Sequence, residues 1–97
     1  MPATRNAKTT VISSISPAFV EQGWEGLVKI HGNGFDRYSF AKFNDATPEV
    51  VDQSDSLLVV EIHPDLTANP GRISVQVHTI ESGTSNEIPF VVKPKSR

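Results

Sequence analysis

The side chains able to do chemistry in this chain are three histidines, eleven carboxylates and a scatter of serines, with no cysteine. His31, His63 and His78 each fall at the end of an expected strand. Metal ligation needs side chains that converge, and no pair has helical i, i+4 or tight-turn spacing. They read as solvated strand-end residues. Asp36, Asp45, Asp52, Asp55 and Asp65 sit mostly where turns are expected, and turn formation explains them. A glycosidase-like pair would need two carboxylates held about 5–10 Å apart across a cleft. A loop calcium site would need D-x-D-x-D-G spacing, which is absent. No serine lies in G-x-S-x-G. Gly32-Asn33-Gly34 joins two strands and opens no helix, so it is not a phosphate cradle. These residues point to no catalytic site, no metal and no cofactor, and so not to an enzyme.

The elements that would position such groups are strands. No stretch keeps a helical period beyond a turn or two. Short runs of Val, Ile and Phe recur, broken by Gly, Pro, Asn and Asp, as in a sandwich. The expected strands cover 9–16, 26–31, 38–43, 47–51, 56–62, 71–78 and 86–93. Ile12 and Ile15 are core candidates in the first, which Pro17 stops. Residues 19–25 read as a loop. Val28 and Ile30 alternate with Lys29. Residues 32–34 read as a tight turn, after which Phe35 plugs back into the core. Asn44-Asp45 turns the third strand. Pro48 suggests that the fourth lies at a sheet edge. Ile73, Val75 and Val77 face in, with Ser74, Gln76 and His78 out. Residues 81–85 read as a hairpin loop, and Ile88, Phe90 and Val92 share one face. The fold class is all-β: an immunoglobulin-like antiparallel β-sandwich of about seven strands.

Composition agrees. The chain has 97 residues, 37% hydrophobic and 21% charged, enough for one small globular domain. The expected division is an N-terminal tail at 1–9, one domain at 10–93 and a tail at 94–97. Net charge is -2, which argues against a broadly basic nucleic-acid surface. No apolar run approaches the length needed for a signal or a membrane span. If Met1 is the native start, a virion or the cytoplasm is expected. If the chain is a module cut from a longer protein, the cell surface or extracellular space is expected.

Several motifs resemble one family. Ile12-Ser13-Ser14-Ile15-Ser16-Pro17 resembles the opening of the IPT/TIG family of immunoglobulin-like domains. The stretch from Val28 to Phe35, ending Gly32-Asn33-Gly34-Phe35, resembles its second strand and G-x-G-F turn. Ala41-Lys42-Phe43 with Ala46-Thr47-Pro48 resembles the strand and turn that follow. Gly71 to Val77, Gly83-Thr84-Ser85-Asn86 and Phe90-Val91-Val92 resemble the last two strands. The likeness spans residues 10–93. Asn44-Asp45 stands where the family often has Gly-Gly, and Trp24 where it usually has small residues. The resemblance implies a non-catalytic spacer, interaction or dimerisation module. Such modules occur in bacterial surface proteins, polysaccharide-degrading enzymes, cell-surface receptors and Rel-type transcription factors, so the fold alone does not fix the function.

Exposed apolar side chains on a small domain mark contact surfaces. Phe40 is out of phase with Ala41 and Phe43, and Leu57 and Val59 with Leu58, Val60 and Ile62. Each is expected to point outward, toward a partner or beneath a tail or crossing loop. Trp24, in a loop beside two glycines, is either a lid on the sandwich end or a contact residue. Trp24 and Tyr38 together could form a sugar-stacking platform. The candidate partner-binding residues are therefore Trp24, Tyr38, Phe40, Leu57 and Val59. The expected partner is a protein scaffold, with a homo-oligomer or a glycan as alternatives, and with no nucleic acid and no membrane insertion. The settings in view are a phage capsid or tail decoration, a surface appendage, or a carbohydrate-binding or spacer module of a secreted enzyme or adhesin.

Overall fold

A computed structural model describes residues 10–79 and 83–95. The expected tail at 1–9 lies outside the described residues, as do Glu81 and Ser82 of the expected hairpin loop and Ser96 and Arg97 of the second tail.

Nine strands follow one another: β1 Val11–Ser16, β2 Phe19–Glu21, β3 Gly26–Asn33, β4 Phe40–Phe43, β5 Glu49–Gln53, β6 Leu57–Ile62, β7 Gly71–Thr79, β8 Gly83–Thr84 and β9 Ile88–Lys93. They form two sheets. One has the order β1-β3-β6-β5, and the other β2-β9-β7-β4, with β8 also paired to β7. The chain leaves the first sheet for the second across the cis Ser16–Pro17 bond.

Alternation explains the layering. On β7, Ile73, Val75, Val77 and Thr79 are buried, while Arg72 and Ser74 are exposed and Gln76 and His78 half-buried. On β3, Val28 and Ile30 face in, with Leu27, Lys29 and His31 exposed. The inward side chains of both sheets make one core, filled by Phe35, Phe43, Phe90, Ile30, Leu58 and Ile62. Phe43 and Phe90 meet edge to face at 5.4 Å.

Asn44 occupies the left-handed region at φ 56°, where a glycine would otherwise be favoured. Its side-chain Oδ1 accepts from the Ser74 N–H at 3.0 Å, which holds the turn. Asn86 closes the outer edge of β1. Its Oδ1 accepts from the Ile12 N–H at 2.8 Å, and its Nδ2 donates to the Ile12 carbonyl at 3.1 Å.

Several expectations need correction. Residues 19–25 are not all loop, because β2 pairs parallel to β9 through Phe19↔Val91, Val20↔Val92 and Glu21↔Lys93. Three residues are too few to show a period. Residues 32–34 are not a tight turn. β3 continues to Asn33, paired with Val11, and Gly34 at φ 84° makes the break. Gly32 is needed for space. A Cβ there would run into the Val11 carbonyl oxygen and stand 2.9 Å from the Phe35 ring. The third expected strand starts at Phe40, not Tyr38, because the Asp36 side chain caps the Tyr38 N–H and holds a turn there. The fourth starts at Glu49, leaving Pro48 outside, and β5 does lie at a sheet edge. The last strand starts at Ile88, since Asn86 is engaged with β1.

Candidate functional site

The expected contact residues do not form one site. Trp24 is half-buried and packs against the core. Its ring lies over Gly26, where a Cβ would stand 2.7 Å from the indole. The buried Thr67 hydroxyl donates to the Trp24 carbonyl at 2.7 Å, and the Gly23 N–H donates to the Thr67 carbonyl at 2.8 Å. Trp24 is therefore a lid clamped on one end of the sandwich. Tyr38, 61% exposed, belongs to the turn at the other end, where Gln53 Nε2 reaches the Asp36 carbonyl. The eight residues of β3 separate the two, about 25 Å of extended chain. The aromatic platform suggested for sugar stacking is not assembled.

Leu57 and Val59 lie on the outer face of the four-stranded sheet, as their phase requires, but they are not free. Val59 is only 6% exposed and Leu57 is half-buried. Val59 sits on a central strand, directly between Lys29 of β3 and Asp52 of β5. Neighbouring side chains cover it. The neighbours that stay open are Leu27 and Val51. Val51 emerges because the β5–β6 register shifts between Val50 and Asp52, a bulge that sets Val51 and Asp52 on the same side.

Phe40 leads to a more coherent surface. It is 41% exposed on the outer face of the five-stranded sheet and pairs in register with His78. The two rings stack at 5.2 Å with 13° between their planes. Thr84 Oγ1 holds His78 Nδ1 at 2.9 Å. His78 Nε2 is buried without a hydrogen-bond partner among the described residues. Along the same face Lys42 lies across from Gln76, and Arg72 across from Val91. Val91 in turn pairs with Phe19, which is 57% exposed. Lys93 reaches over the Phe19 ring at 4.1 Å. Two open phenyl rings thus stand at opposite corners of this face, Phe19 near Arg72 and Lys93 on one edge and Phe40 near Lys42 on the other, with Glu21 and Glu87 as carboxylates on or beside it.

Sequence reasoning found Phe40 and missed Phe19, which it placed in a loop. The cations were legible singly, as outward positions of three strands. Their meeting depends on the order β9-β7-β4, which is non-local.

The histidines do not converge. His31 and His78 face outward from opposite sheets, and His63 follows β6 at the other end. No group of three metal-ligating side chains gathers among the described residues. A shallow cleft of about 340 Å³ has Glu61, His63 and Asp65 in its wall. His63 and Asp65 are exposed there, and among the described residues no side-chain hydrogen bond orders the three. A general acid or base needs a positioned partner, and this cleft supplies none.

A family model for the IPT/TIG domain matches residues 10–92. The chain belongs to the IPT/TIG domain family. IPT/TIG domains are generally non-catalytic immunoglobulin-like modules, usually engaged in protein interaction. No curated protein matches the chain. Among the described residues no helix is long and apolar enough to cross a membrane.

Proposed function

We propose that this IPT/TIG domain is a non-catalytic structural subunit that docks onto protein through the outer face of its five-stranded sheet. The single observation carrying this is that one sheet face exposes Phe19 beside Arg72 and Lys93 at one corner and Phe40 beside Lys42 at the opposite corner. Apolar rings supply the burial, and the cations around them set register and reject like-charged surfaces. The opposite face offers aliphatic side chains rather than rings, with Val11, Leu27 and Val51 open and Val59 at its middle covered. The setting we favour is a larger assembly, such as a phage capsid or tail decoration or a surface appendage.

The test is incorporation into that assembly in the cell of origin. Phe40→Ala combined with Lys42→Glu should reduce incorporation about tenfold or more, as loss of a hot spot does. Asp65→Ala, on the loop at the far end, should leave it unchanged. Equal loss in both variants, or in neither, would overturn the reading. Melting curves separate loss of docking from loss of fold.

A further inference from the structure

The two outer faces of the sandwich carry opposite charge. The five-stranded face presents Lys42, Arg72 and Lys93 against Glu21, with Glu87 beside Arg72 and Ser74. The four-stranded face presents Glu49, Asp52 and Glu61 against Lys29. Glu49 and Glu61 stand directly opposite each other on neighbouring strands. Like charges so placed repel in the isolated chain and would be relieved by an incoming cation. Both faces also keep open apolar side chains: Phe19 and Phe40 on the first, Val11, Leu27 and Val51 on the second.

Resting on the docking face just described, we propose that its occupant is a second copy of this chain, stacked front to back. The five-stranded face of one copy lies on the four-stranded face of the next. The faces are two sides of one sandwich and so match in extent. A two-fold pairing of identical faces would set Lys42, Arg72 and Lys93 against their own copies, or Glu49 and Glu61 against theirs. Front-to-back contact is heterologous and repeats from copy to copy rather than stopping at a dimer. Four strands about 4.8 Å apart make a face roughly 20 Å wide. Such a face sits at the low end of interface sizes, so the single contact is weak and gains strength from repetition.

Sedimentation of the purified chain tests this. At low salt the average mass of the wild type should at least double, roughly, between about 10 µM and about 1 mM protein, and moderate salt should reverse the rise. Lys42→Glu with Arg72→Glu makes both faces acidic, and Glu49→Lys with Glu61→Lys makes both faces basic. Each double variant alone should remain monomeric, with melting unchanged. An equal mixture should associate again, because each contact then joins faces of opposite charge. A wild type that stays monomeric throughout would overturn the proposal, as would variants that associate like the wild type or a mixture that fails to recover. If self-association fails while the Phe40 and Lys42 substitutions still block incorporation in the cell, only the choice of partner falls.

Discussion

Gly32 and Thr67 show how much of this fold rests on single atoms. Gly32 is buried in β3, with the Val11 carbonyl and the Phe35 ring where a side chain would begin. Gly32→Ala should therefore cost about 3 kcal/mol, at the upper end for overpacking. In a domain of this size that lowers the melting temperature by more than about 10 °C, which calorimetry will read. Thr67→Val keeps the shape but leaves the Trp24 carbonyl without its 2.7 Å donor. A loss of about 1–3 kcal/mol is expected, with a red shift in the emission of Trp24, the single tryptophan. The sequence shows a glycine between strands but not that Gly32 answers a steric demand from Val11, twenty-one positions away. Trp24 was open between lid and contact because the choice depends on Thr67, forty-three residues on.

Strands with a clear period were legible, and strands without one were not. β3 and β7 alternate over eight and nine residues, and their inward sets follow directly from the chain. β2 and β8, of three and two residues, exist because β9 and β7 offer open edges. β2 can be tested by contrast. Val20 is 7% exposed and its neighbour Phe19 is 57% exposed. Val20→Ala should destabilise by about 2 kcal/mol, whereas Phe19→Ala should change stability by less than about 1 kcal/mol, chiefly through its contact with Lys93. Denaturant midpoints decide it. Equal effects would mean that residues 19–21 behave as a loop. The outward residues were read correctly in phase at Leu57 and Val59, but exposure depends on which strands flank β6.

At the scale of the whole molecule, two sheets spend most of the large apolar side chains on one shared core. What remains outside is a pair of faces that differ in charge, each with a few open apolar side chains. Fold class and family could be read from motif order along the chain, and the family match over residues 10–92 bears them out. The docking face could not be read, because Phe19, Phe40, Arg72 and Lys93 are placed on one side of one sheet only by pairing strands distant in sequence. A photo-crosslinking side chain placed at Phe40, and separately at Asp65, probes this most directly in the cell of origin. Discrete protein adducts should form from position 40, including adducts between copies of the chain, and fall away with Lys42→Glu and Arg72→Glu. Adducts from position 65 alone, or equally from both and indifferent to those charges, would contradict docking through the five-stranded face.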